Sequence, residues 1–317
     1  MDSKIAETIL KRRPSKQIAG YITEKLFIDF YVQPRNYSYS KGWWSAVEKN
    51  KESSDKPLFI IVKNDLTELD NKVIKKLENN GFHYIQIKES GNEWAIIDSG
   101  IEYYWRDYID IAGLTSSSSG NARKKKNKDK DNSDDSNDPG LNHCIEYYKN
   151  NNMLIDIAKS IIIEDNFINR YYTTTNIDLI INGKDDEPVC LEIKFKNEFL
   201  FKNNGIMEPV FGADVFQYNN VFMPFLESGI KVFNIILYND VKSEQNKNNT
   251  VIFDYLQKKG NDPNKYIWLF KEIHKDETFA THTFTATNTS WSNKNGRTVF
   301  CIPKESYGVF SSASNQK

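Results

Sequence analysis

The stretch that most constrains this chain is IDLIINGKDDEPVCLEIKFKN, residues 177–197. Its two apolar runs, 176–182 and 188–196, have the length of neighbouring strands, and the polar residues 183–187 between them read as a hairpin turn. In the second run Val189, Leu191, Ile193 and Phe195 point one way, and Cys190, Glu192, Lys194 and Lys196 the other. Glu192 and Lys194 therefore leave the same face about 7 Å apart. A hairpin also brings Asp178, at the start of its strand, beside Glu192, near the end of the next. Two carboxylates held together repel, so one keeps a proton or a cation sits between them.

Carboxylate and carbonyl oxygens are the natural ligands of Mg²⁺. A lysine beside such an ion can stabilise an attacking hydroxide or the charge developing on a phosphate, which makes this a set suited to metal-assisted phosphodiester hydrolysis. The competing reading is a surface hairpin with a solvated Glu192–Lys194 pair. Asp178 argues against it, because its flanks, Asn176-Ile177 and Leu179-Ile180-Ile181, read as buried on both faces.

Asp178, thirteen intervening residues and then Glu192-Ile193-Lys194 resemble the PD-(D/E)XK signature of the restriction-endonuclease-like nucleases. The resemblance covers roughly residues 142–240, and Ile177 stands where the family often has proline. It implies that Asp178 and Glu192 bind Mg²⁺ (Mn²⁺ as a substitute) with the backbone carbonyl of Ile193, and that Lys194 orients or activates the water. It also implies an acidic residue aimed at the metal from a helix before the strands; Glu146 is the first candidate and Glu164 the second. Gln217-Tyr218 look like the polar helix residues that assist the site in some branches, although core packing is the favoured role of Tyr218.

The surrounding pattern runs helix, strands, helix, strand. A helix is expected over 143–163, with Met153, Leu154, Ile157 and Ile161 on one face, and a weaker strand over 167–173. A second helix is expected over 208–227 and a strand over 232–238; further strands follow at 266–273, 279–288 and 299–303. Upstream, 5–30 reads as one or two basic helices. A small module of strand (56–63), helix and two more strands (82–88, 93–98) follows, with Asp65 and Glu68 at capping-box spacing. Trp43 and Trp44 could stack on bases, but core packing is the favoured role.

Between these halves lies TSSSSGNARKKKNKDKDNSDDSNDPG, residues 115–140, with Ala122 as its one apolar residue. A segment of that composition cannot bury enough surface to offset its ordering entropy. The expected organisation is thus a small separate α/β domain over 1–113, a disordered charged linker over 114–140, and a restriction-endonuclease-like core (helix, mixed sheet, helix) over 141–317. The basic run 123–130 is compatible with nuclear import or phosphate contact, but the acidic half that follows favours a plain spacer.

Three scattered cysteines and four histidines without ligand spacing argue against a disulfide framework and a zinc site. The formal net charge of −1 excludes a wholly basic nucleic-acid coat. Without a stretch of membrane-spanning length or a signal peptide, an intracellular soluble protein is expected. The functional expectation is a Mg²⁺-dependent nuclease, endonuclease or exonuclease alike, acting on nucleic acid with DNA favoured over RNA; a homodimer is compatible with the sequence. The alternative is a non-catalytic nucleic-acid-binding or protein-interaction effector that keeps the nuclease fold.

Overall fold

The computed structural model describes residues 1–13, 15–49, 56–91, 93–116, 139–203, 205–240, 251–260, 262–284 and 297–310. The chain is mixed α/β, and three sheets organise it. In spatial order the first sheet holds β1 (Tyr39–Ser40), β8 (Leu179–Asn182), β9 (Pro188–Lys196), β12 (Lys231–Tyr238), β13 (Trp268–Ile273) and β16 (Gly308–Val309). The second holds β6 (Ile101–Tyr104), β5 (Glu93–Asp98), β4 (His83–Ser90), β3 (Leu58–Val62), β2 (Trp43–Glu48) and β7 (Tyr172–Ile177). The third is antiparallel: β10 (Phe199–Asn203), β11 (Ile206–Asp214), β15 (Arg297–Pro303) and β14 (Ala280–Phe284).

The helices are α1 (Ser3–Leu10), α2 (Ser15–Phe27), α3 (Glu68–Asn79), α4 (Trp105–Ile111), α5 (Pro139–Asn150), α6 (Leu154–Ile163), the short α7 (Asn169–Tyr171), α8 (Val215–Gln217), α9 (Met223–Glu227) and α10 (Val251–Lys259). A wider helical turn, Tyr218–Phe222, makes α8 and α9 one continuous run. None of the described helices is long and apolar enough to cross a membrane.

The hairpin read from the sequence is present: β8 and β9 are antiparallel, with Leu179 opposite Leu191 and Asn182 opposite Pro188. β9 then lies parallel to β12, and the chain reaches it by way of the α8–α9 run. Alternation divides β9 between two interiors. Leu191 and Ile193 join a core formed with Ile18, Ile22 and Leu26 of α2, Tyr148 of α5 and Trp268 of β13. Cys190 joins a second core with Val221, Phe222 and Phe225 of the α8–α9 run. A third core, around Trp44, Ile60, Ile85, Ile96 and Phe167, lies on the second sheet.

The expected separation at the linker does not hold. β2 pairs with β7 across the whole intervening segment, and β1 pairs with β8, so strands from the two halves share both sheets. The physical reason is burial. Ala6, Leu10, Ile18, Ile22 and Phe27 find their apolar partners after residue 140, in α5, α6, β8 and β9. Leu114 is already buried and α5 begins at Pro139, which narrows the expected linker; residues 117–138, where disorder was expected, lie outside those described.

The two sheets are joined by a single ribbon. Ser40 faces Ile180 and Trp43 faces Ile177, so the two ladders keep the same register on either side of the unpaired step Lys41-Gly42 and Asp178. The ribbon leaves one sheet and enters the other at this step. Gly42 has φ +83°, and a Cβ there would stand 2.7 Å from the Val62 carbonyl oxygen, so only glycine fits. The adjoining α3 is pinned by a Thr67–Asp70 capping box, two residues later than the sequence spacing suggested. Trp43 is interior, its Nε1 donating to Ser40 Oγ (2.8 Å) and Asp70 Oδ1 (3.0 Å), which settles it as a core residue.

Candidate active site

The β8–β9 ladder ends at Leu179 and Leu191 because the chain turns toward the second sheet at Asp178. The Asp178 carboxylate takes the place of the missing strand. Its Oδ2 accepts the Ile193 N–H at 2.8 Å and Lys194 Nζ at 2.9 Å, and its Oδ1 accepts Asn176 Nδ2 at 3.0 Å. Lys194 Nζ also lies 2.5 Å from Glu192 Oε1, in an ion pair whose alignment makes no hydrogen bond. Asp178 and Glu192 are buried, and one third of the Lys194 side chain reaches solvent. Gln217, buried on the helix after β11, lies beside Glu192 and favours its charged form. It is placed by Asp214, which accepts the Phe216 and Gln217 N–H groups (2.9 and 3.3 Å) and so starts the helix where β11 ends.

The sequence reading missed one member. Glu24 of α2 is buried, comes from the opposite layer, and pairs with Lys41 of the ribbon at 2.9 Å. Its carboxyl is pushed up, first by burial; Lys41 counters this, Asp178 adds to it, and Lys194 again lowers it. Glu24 thus shares the field of the Asp178–Lys194 pair. A sequence signal existed: Thr23-Glu24-Lys25 interrupts the apolar residues Ile22, Leu26, Phe27 and Ile28, and Glu24 lies one turn before Phe27 and Ile28. Tyr21, one turn earlier, is pushed up as well, by burial and then by Glu164, Glu24 and Asp178.

Burial is also the main cause that raises Glu192, to about 8, with the charge of Asp178 second; Lys194 and Gln217 offset part of it. For Lys194 burial acts downward, yet Asp178 and Glu192 outweigh it and keep the ammonium charged well above its ordinary range. Two buried acids and one ammonium therefore meet at a point where the sheet opens.

Glu146 does not belong to this group. It is exposed on α5, whose buried face is Leu141, Cys144, Ile145 and Tyr148. The stripe extrapolated from Met153 fails because the helix stops at Asn150 and turns at Asn152 (φ +55°) before α6 begins. Glu164 lies nearer, in the wide turn Glu164–Ile168, but is held by Asn169 Nδ2 (3.2 Å) and faces Arg13 (3.7 Å). Tyr218 packs in the core against Phe222 and Phe300, as favoured.

Among the described residues, no group of three or more His, Cys, Asp or Glu side chains forms a ready-made metal cage. The donor set nonetheless suits Mg²⁺, which is usually held by one or two carboxylates and keeps several waters. Asp178 and Glu192 supply two such oxygens, and the buried Glu192 Oε1 lacks a directed donor. Comparison with family models, curated proteins and solved structures returns no match for this chain.

Proposed function

We propose that the protein is a Mg²⁺-dependent nuclease that hydrolyses phosphodiester bonds, with DNA favoured over RNA, and that its catalytic core is of the restriction-endonuclease-like type. The observation that carries this reading is the convergence of Asp178, Glu192, Lys194 and Gln217 at the end of one hairpin. The order of elements supports it: α2, then β1, β8 and β9, then the α8–α9 run, then β12 parallel to β9. In this reading residues 43–177 are an insertion between the first strand and the catalytic hairpin, and Glu24 of α2 takes the role expected of Glu146.

Asp178 and Glu192 would hold the metal, with Glu24 beside them and the Ile193 carbonyl as the further expected ligand. When bound, the ion would lower the pKa of a coordinated water and polarise the phosphoryl oxygen. Lys194 keeps its charge at any physiological pH, so its ammonium can orient the attacking water or stabilise negative charge developing on the phosphate. Asn176 fixes the Asp178 carboxylate while a substrate enters, and Gln217 beside Glu192 favours the charged form of that acid.

The test is cleavage of single- and double-stranded DNA and of RNA by the full chain with Mg²⁺ or Mn²⁺, with EDTA as the control. Asp178→Ala and Glu192→Ala should lose cleavage together with metal binding. Lys194→Ala should lose cleavage and keep the metal, since an ammonium ligates nothing. Undiminished cleavage by Asp178→Ala, or no cleavage of any of these substrates, refutes the reading.

A further inference from the structure

One strand behind the candidate site, the first sheet carries a buried amide that core packing does not explain. On one face of β12, Val232, Asn234 and Ile236 alternate, and all three are buried. Val232 and Ile236 join the core that holds Cys190, Phe222, Leu269 and Ile273. Asn234 interrupts it. Its register partner on the parallel β9 is Glu192, and on the antiparallel β13 it is Lys271. The three side chains therefore form one row on one face of the sheet.

The members of this row are unequally committed. Lys271 is paired with Glu277. Asn234 Nδ2 donates to the Tyr307 hydroxyl at 3.1 Å, and the Tyr307 ring packs edge-on against Phe211 at 5.2 Å. The other end of the amide, Oδ1, is buried with no hydrogen-bond partner among the described residues, and the same is true of Glu192 Oε1. A buried oxygen without a donor is costly, and an apolar residue at 234 would avoid that cost. One rearrangement satisfies both oxygens. A hydroxyl donates as well as accepts, so Tyr307 can give its proton to Oδ1 of an amide turned over, which leaves Nδ2 for the neighbouring Glu192.

We infer that Asn234 is a positioning residue: anchored by Tyr307, its amide steadies the Glu192 carboxylate for the metal. The inference rests on the nuclease reading to the extent that Glu192 is taken as a metal ligand. Carboxylates that bind metals are themselves held by hydrogen bonds, and loss of such a partner costs roughly 10–100-fold in metal affinity or activity. Asn176 holds Asp178 in this way, whereas the Lys194 ammonium meets Glu192 Oε1 without the alignment of a hydrogen bond. Asn234 is 1% exposed, so it cannot touch a nucleic acid and acts on the reaction only through its neighbour. Its place inside a strand flanked by β9 and β13 gives the amide a rigid mount.

Titration of the full chain with Mn²⁺, followed by electron paramagnetic resonance, tests it, together with thermal melts in EDTA and kinetics on whichever nucleic acid the wild type cleaves. The double variant Asn234→Leu with Tyr307→Phe replaces both polar partners by apolar groups of similar shape. It should bind Mn²⁺ roughly tenfold more weakly and lose a similar factor in kcat, with KM unchanged. Its midpoint in EDTA should not fall below that of the wild type, because no polar partner is left orphaned. Tyr307→Phe alone, which loosens the amide, should weaken Mn²⁺ binding about threefold. Unchanged Mn²⁺ affinity in the folded double variant overturns the inference, and so does a loss of affinity that comes with a matching loss of midpoint. Should the double variant fail to fold, Tyr307→Phe decides by the same two readings. Mn²⁺ binding without cleavage of any nucleic acid refutes the nuclease reading alone, and the affinities still decide the role of Asn234. No Mn²⁺ binding by the wild type refutes both.

Discussion

Replacing Glu192 by glutamine should stabilise the metal-free protein at alkaline pH and leave it unchanged in acid. In the folded chain, burial first and then the Asp178 charge hold the Glu192 proton until about pH 8, whereas a free glutamate releases it near 4.5. The folded state therefore binds the proton more tightly. This contribution to stability is fully present below pH 4.5 and is lost as pH rises to about 8. At about 1.36 kcal/mol per pH unit the interval corresponds to roughly 5 kcal/mol. For 317 residues the unfolding entropy near 60 °C is about 0.7 kcal/mol per kelvin, so the loss amounts to roughly 7 °C in the thermal midpoint.

The glutamine of that variant has no proton to release, and its amide can still meet Gln217. Thermal melts in EDTA at pH 5, 7 and 8.5 should show the wild type falling relative to Glu192→Gln by about 5–7 °C between the extremes. Glu24 and Glu164 are also raised by burial and titrate in both proteins, so the difference isolates Glu192. Saturating Mg²⁺ should restore the wild type at pH 8.5 and leave the variant unmoved, because a cation replaces the proton between the two acids. Two melting curves that keep a constant separation from pH 5 to 8.5 in EDTA would refute the reasoning, whatever their absolute midpoints.

Asp70→Asn should cost about 3 kcal/mol in a urea titration at pH 7, because it leaves the Lys63 ammonium without its buried counter-charge. Burial opposes ionisation of Asp70, but donors on Lys63, Ser40 and Thr67 hold its carboxyl below the ordinary 3.8. The gap should therefore persist above that pH and close as the solution is acidified through the folded pKa. A fragment of residues 141–317 should neither fold nor cleave, since it lacks α2, β1, β2 and Glu24; adding residues 1–140 as a separate chain should restore both, as read by circular dichroism and cleavage.

The parts of the fold that could be read from the sequence were those fixed by local pattern. β9 occupies 188–196 as alternation required, and Asp178, Glu192, Lys194 and Gln217 meet because a hairpin and the helix after it are short-range objects. The helix expected over 208–227 was half wrong for a tertiary reason. Residues 206–214 carry Val210 and Phe211 into a core, but they do so as a strand paired with β15, a partner some ninety positions away that helical spacing cannot reveal. The stripe through Glu146 failed at a break, Asn150 to Met153, that the periodicity on either side conceals.

Glu24 escaped for a deeper reason. The low-complexity segment 115–140 looked like a domain boundary, and a boundary assigns each half its own core. Chain continuity and spatial continuity differ here: a register shared by β1–β8 and β2–β7 carries two strands, one from each side of that segment, out of one sheet and into the next. Asp178 is the residue at which its strand changes sheets, and Lys41, in the step between β1 and β2, holds Glu24. A charged residue at such a step costs less than one inside a ladder, because the backbone groups that have lost their strand partner become its hydrogen-bond donors, as the Ile193 N–H does for Asp178. The place where the sheets part is thus also the place where the fold can hold buried carboxylates, and the N-terminal helix contributes its acid there because the same step brings α2 against β9.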